Sequence, residues 1–137
     1  MSFDTKTKVN WNGREVKLLG KKMMNRSTFE IALSVEAQAS LLAPRDTGLL
    51  SGSITTQSRD EGSKPRSPAA ASDTIQKPFS EMMAFVGTPV FYGPYMEFGT
   101  KLTDAQPFLR PAADLVSGKA LTLAEREGKI VFKEYLK

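Results

Sequence analysis

Between Gly20 and Pro44 the chain has neither glycine nor proline, and from Leu19 onward apolar residues recur at Leu19, Met23, Ile31, Val35, Ala39 and Leu42, with the small Ser27 keeping the same step. Steps of four and three place these positions along one face of a long helix. Pro44 disfavours helical geometry at Ala43, so the helix is expected to stop there. Roughly 20 residues at ~1.5 Å each make a rod of about 30 Å, the spine of whatever domain forms around it. The chain has 137 residues, the size of one small domain whose core buries ~68% of the unfolded surface.

On either side of the rod the signals are shorter. Val9-Asn10-Trp11-Asn12-Gly13 has an extended character ending in an Asn-Gly turn signal, which suits either a hairpin with Val16 to Leu18 or direct entry into a helix. Asp46-Thr47-Gly48 reads as a turn in which the Asp and Thr side chains bond nearby backbone and Gly48 accepts a positive φ. Leu50 and Ile54, set among Ser51, Ser53 and Thr55, suggest a half-buried strand over 49–56, and the short apolar run Met82 to Thr88 is its expected partner. Residues 57–80 are rich in Ser, Pro, Gly, Ala and charge and have no usable period. They read as a long loop, either inert or a mobile arm that orders on binding a partner.

Tyr92 to Phe98 suits a short helical turn, with Pro94 near its start and Gly99 where a left-handed cap would sit. A second helix is expected after Gln106, with Pro111 in its first turn and Ala112, Val116, Ala120, Leu123, Ile130 and Val131 as buried positions. Gly118 and Gly128 each cost roughly 1 kcal/mol in such a helix and mark places to bend or break. The sum is one α+β domain over 1–137: a long N-terminal helix and a C-terminal helix packed on a small antiparallel sheet with a long inserted loop.

Absences narrow the function. There is no Cys, hence no disulfide, thiolate metal site or thiol nucleophile, and no His, the commonest general base and metal ligand. What survives is carboxylate, Lys, Tyr or Ser chemistry with a hard, oxygen-ligated cation. One such rival is a metal-dependent nuclease using Glu127-Gly128-Lys129 with Asp46 or Asp60-Glu61, but two residues apart on a helix diverge by about 200° around the axis. The expectation is a chain with no catalytic residue, metal or cofactor.

No apolar run approaches the ~20 residues of a membrane span, and residues 1–15 hold Lys6, Lys8 and Arg14 with no apolar signal core, so cytoplasmic synthesis and no membrane partner are expected. Net charge is +4, but residues 1–26 hold seven bases against Asp4 and Glu15. Within that excess, Lys17, Lys21, Lys22 and Arg26 form a strip that reads as a solvated helix face or as a surface turned to DNA or an acidic partner. A small, basic, non-specific nucleic-acid-binding protein is therefore the alternative reading. Sequence-specific recognition is not expected, because no aromatic residues interleave with the strip.

Three blocks stand in order: Ala43-Pro44-Arg45-Asp46-Thr47-Gly48-Leu49-Leu50 running on to Ser53-Ile54; Val86-Gly87 running on to Tyr92-Gly93-Pro94-Tyr95-Met96-Glu97-Phe98-Gly99-Thr100; and Pro107-Phe108-Leu109-Arg110-Pro111-Ala112. Together, over about residues 9–137, they resemble the neck and tail-completion proteins of long-tailed bacteriophages, the gene-product-ten-like minor structural family. The chain departs from that pattern at Leu49, where a basic residue is common, and at Pro94, which is usually not proline.

The resemblance implies a structural virion protein at the head–tail junction, made in the host bacterial cytoplasm and assembled as a ring of six or twelve copies. Its partners would be further copies and adjoining neck, connector or tail-terminator proteins, with genomic DNA passing through the lumen without sequence-specific binding. A ring of this kind needs two different patches on each subunit. Candidate interface residues are Tyr92, Tyr95, Glu97, Phe98, Gly99, Thr100, Pro107, Phe108, Arg110 and Pro111. Of these, the aromatic residues serve either the core or a neighbouring subunit, and Glu97, flanked by Met96 and Phe98, is expected to be half-buried and paired, with Arg110 the candidate partner, either within one chain or across an interface.

Overall fold

The computed structural model describes residues 12–68 and 75–137. The rod is α1, Gly13–Leu42, and it begins well before Leu19: the chain enters the helix directly from Asn12, and Val16 to Leu18 form no hairpin arm. Val9 and Trp11 lie outside the described residues. At its other end Ala43 is extended (φ −61°, ψ 137°) ahead of Pro44, with its N–H still bonded to the Ala39 carbonyl at 2.8 Å.

The buried line on α1 is Ala32, Glu36, Ala39 and Ser40, continued by Ala43. It is offset from the expected apolar face, of which Leu42 is exposed and Val35 packs against the core. Small alanines let other elements approach closely, and the two polar residues are buried because each has a partner. Glu36 accepts the Ser63 hydroxyl at 2.6 Å, and Ser40 donates to the Ser51 carbonyl at 2.7 Å.

The expected strand over 49–56 is instead a short helix followed by a strand. Gly48 (φ 76°) turns the chain into α2, Leu49–Ser53, and β1 is Thr55–Ser58. Leu50 and Ile54 are four apart, a spacing that a helical turn meets as well as a strand does, and the Ser51 and Ser53 hydroxyls bond back to the carbonyls of Gly48 and Leu50. β1 pairs antiparallel with β2, Ala84–Gly87, with Thr55 opposite Gly87 and Ser58 opposite Ala84. The strand thus runs into the segment expected to be loop.

Much of the described remainder of 57–80 is also pinned. The Ser63 N–H bonds the Thr56 carbonyl and the Ser58 N–H bonds that of Glu61, both at 2.8 Å, while the N–H groups of Arg66 and Ser67 share the Gly52 carbonyl. Residues 69–74 of the expected arm lie outside the described residues.

The C-terminal half holds α3, Gly93–Phe98, then α4, Leu109–Ser117, and α5, Ala120–Tyr135. The expected second helix is therefore two, broken at Gly118. Gly128 sits within an unbroken α5 and lets Met23 of α1 approach: a Cβ there would sit 2.9 Å from the Met23 methyl. Both helices pack on α1, and the two-stranded sheet lies against it as well, so the fold is α+β with α1 as its common wall. Ala39, Ala43, Leu50, Ile54, Phe108 and Ala112 make the central core, while Val116 and Val131 are buried further along.

Phe108 is fully buried, whereas Leu102 is 96% exposed. Phe108→Ala is expected to lower unfolding free energy by about 3–5 kcal/mol and Leu102→Ala by less than about 0.5 kcal/mol, read from the midpoints and slopes of urea unfolding curves.

Candidate functional site

The second and third sequence blocks meet at the start of α4. A helix begins with N–H groups that have no intrahelical partner. Here Glu97, from α3, takes three of them: Oε2 accepts the Phe108 and Leu109 N–H groups at 2.8 and 2.9 Å, and Oε1 accepts that of Arg110 at 3.0 Å. The next residue, Pro111, has no N–H to satisfy. The helix ladder then opens with the Ala112 N–H on the Phe108 carbonyl at 3.3 Å.

Glu97 as a residue is 8% exposed. Burial alone pushes its pKa up, but the three backbone N–H groups and the nearby Arg110 charge outweigh that and hold it below the ordinary carboxylate value. Within the chain the expected pairing with the Arg110 side chain is not formed. Arg110 offers Glu97 its backbone, and its guanidinium lies over the Phe98 ring, 5.6 Å from the centroid.

The tripeptide after Glu97 shapes the connection. Gly99 has the expected positive φ (76°), but its ψ of 176° puts it in a region nearly reserved for glycine instead of in the left-handed helical cap. A Cβ there would meet the Ala105 nitrogen at 2.8 Å. The Thr100 hydroxyl accepts the N–H groups of Leu102 and Thr103, closing the turn, and the Gln106 N–H returns to the Met96 carbonyl at 2.8 Å.

The first block joins through Ser53, whose hydroxyl is 2.6 Å from that of Thr88. A Cβ on Gly93 would lie 2.7 Å from the Thr88 methyl, so α3 sits close against this pair. Of the turn residues, Thr47 Oγ accepts the Leu49 N–H at 3.4 Å and Gly48 has the left-handed backbone, while Asp46 is exposed with no cap bond.

The aromatic residues divide. Phe108 is core, and Tyr92 is half-buried with its ring edge-on to Phe91 at 5.4 Å. Tyr95 and Phe98 are exposed, as are Thr100, Pro107 and Arg110, and Pro111 is half-buried. Within 91–102 the chain presents Phe91 (82% exposed), Tyr95 (57%), Phe98 (68%) and Leu102 to solvent. Beside them runs a groove of about 580 Å³ bounded by Val86, Thr88, Pro94, Phe98 and Leu109.

The basic strip does not stand as a unit. Lys21 meets Glu81 at 3.4 Å, Lys22 meets Glu134 at 3.8 Å, and Arg26 meets Glu127 and Glu134 at 3.0 and 3.3 Å. Only Lys17 of the four has no carboxylate within ion-pair distance among the described residues. Most of the strip's charge therefore stitches α1 to α5 and to the approach to β2. Glu127, the acid singled out for nuclease chemistry, is buried between Arg26 and Arg126 as part of the same stitching.

No family profile, no curated protein and no solved structure matches the chain. What the geometry offers is a rigid scaffold for an apolar, aromatic surface. A second polar cluster, in which buried Glu36 and Ser40 meet half-buried Ser63 and exposed Arg66, escapes sequence reasoning, since Glu36 looks like any charged residue of a long helix until Ser63 is brought to it.

Because Glu97 has its pKa lowered by folding, its stabilising contribution is full above its unfolded value of about 4.3 and is lost as pH falls through the lower folded value. Glu97→Gln is expected to cost about 1–3 kcal/mol at pH 7 and to flatten the acid limb of the stability curve, checked by urea unfolding at a series of pH values between about 2 and 7.

Proposed function

We propose that the chain is a non-enzymatic structural protein of a long-tailed bacteriophage, a subunit of a ring at the head–tail junction that joins further copies of itself to adjoining neck or tail components. The observation that carries this reading is that the three blocks on which the resemblance rests are mechanically one unit. Ser53 of the first meets Thr88 beside Gly93 of the second, and Glu97 of the second holds the backbone of the third at Phe108, Leu109 and Arg110. The residues that distinguish the motifs are thus used in building a scaffold, as a structural role requires.

The surface next to that scaffold supports the same reading. Phe91, Tyr95, Phe98 and Leu102 lie close in sequence and are all more than half exposed. Large apolar side chains so grouped mark a surface that another protein covers. The pairing of Lys21, Lys22 and Arg26 with carboxylates of the same chain weighs against a primary role in binding free DNA.

Imaging of intact particles at side-chain resolution tests the reading directly, with the chain expected as a closed ring between portal and tail. Phe98→Asp and Leu102→Asp are expected to cut incorporation into particles at least tenfold with an unchanged circular dichroism spectrum. Absence of the wild-type chain from finished particles, or magnesium-dependent cleavage of plasmid DNA abolished by Glu127→Ala, would overturn it.

A further inference from the structure

The two edges of the sheet differ. On β1, the Thr56 N–H and C=O both bond Ser63, and the Ser58 N–H bonds Glu61, so these residues point away from β2. By the alternation of an antiparallel ladder, Thr55 and Gln57 exchange bonds with Gly87 and Phe85, and the N–H and C=O groups of Ala84 and Val86 point outward from β2. Among the described residues neither Ala84 nor Val86 finds a partner for these outward groups. The free edge leads into the apolar groove, which Val86, Gly87 and Thr88 line together with Val35, Pro94 and Leu109. An unpaired strand edge beside an apolar groove is the form of a site for an extended peptide: main-chain bonds give affinity, and alternate side chains fill the groove.

The chain itself contains a segment of that form. Residues 3–11 read Phe-Asp-Thr-Lys-Thr-Lys-Val-Asn-Trp, with aromatic or β-branched residues at every odd position and polar or charged residues at every even one. This is the period of a strand with one face for an apolar surface and one for water. Its reach decides whose edge it can meet. The Met82 N–H bonds Asn25 of α1 and the groove extends to Val35, so the edge lies between ~18 and ~33 Å along the helix from Gly13 at ~1.5 Å per residue. Val9 and Trp11 lie only four and two residues before Gly13, a reach of at most about 13 Å in an extended chain, so in the same chain neither gets to the edge.

We propose that residues 3–11 of a second copy of the chain add as a third strand to the outer edge of β2, with Val9 and Trp11 seated in the groove. Arm exchange of this kind links each subunit to the next through two different patches, donor and acceptor. The proposal rests on the ring reading for the identity of its partner and deepens it by assigning the contact.

The absence of cysteine from the chain makes a cross-linking test clean. Val9→Cys chains are mixed with mass-tagged Ala84→Cys chains and oxidised with copper phenanthroline. A mixed disulfide dimer is expected, about tenfold above that from a Lys17→Cys donor. It should be lost when the acceptor also carries Val86→Pro, which removes an outward N–H and leaves the bonds to β1 in place, and when the donor carries Trp11→Asp. Should Val86→Pro lower the melting temperature, an acceptor with the cysteine moved to Val86 and Ala84→Pro on the same edge serves in its place.

No mixed dimer up to the solubility limit, or an intramolecular disulfide when both cysteines are on one chain at high dilution, overturns the inference. Sedimentation velocity on the wild-type chain and its detection in particles report separately on the ring reading. Self-association or incorporation that persists without the cross-link leaves the ring standing and removes only the arm.

Discussion

The start of α4 depends on one carboxylate. Glu97 gathers three N–H groups at the start of α4, and Pro111 supplies no fourth, so a helix end that is buried on its Phe108 side leaves none of these donors bare. The same residue whose N–H is held, Phe108, carries the largest fully buried side chain of the core. Polar and apolar constraints therefore act on one point of the backbone: the carboxylate fixes where α4 begins, and the ring fixes how deep it sits. Gly99, in a conformation that almost only glycine adopts, lets the chain leave α3 and come back to it.

Around this junction α1 acts as a polar spine as much as an apolar one. Glu36 and Ser40 sit in its buried line and receive the 61–67 segment through Ser63 and Arg66. Nearer its start, Arg26 and Lys22 hold α5 through Glu127 and Glu134, and Tyr135 reaches back to Glu15 at 3.0 Å. The central apolar core is small, with Phe108 its only aromatic residue among the buried ones, and these long-range polar contacts fix the register of elements that its few side chains would position only loosely.

The parts of this architecture that are legible in the sequence are those with local causes. Pro44 ends α1, Gly48 and Gly99 take positive φ, Pro111 sits in a first turn, and Gly118 divides two helices, because each acts on its own stretch of backbone. Leu50 and Ile54 are legible as core residues but not as helix or strand, since a spacing of four fits both. Glu97 is legible as a buried acid in need of a partner. That the partner is main chain is not, because backbone N–H groups carry no letter in a sequence. The strip from Lys17 to Arg26 is legible as basic, yet its neutralisation waits on Glu81, Glu127 and Glu134, which only the tertiary fold brings near.

The 61–67 segment lies over β1 and uses its outward hydrogen-bonding groups, while among the described residues nothing pairs with the outer rim of β2. A ribbon sealed along one margin grows in one direction only. Edge-to-edge pairing through this sheet is therefore confined to the β2 side. The wrapped segment removes one of the two margins through which the sheets of neighbouring molecules could merge.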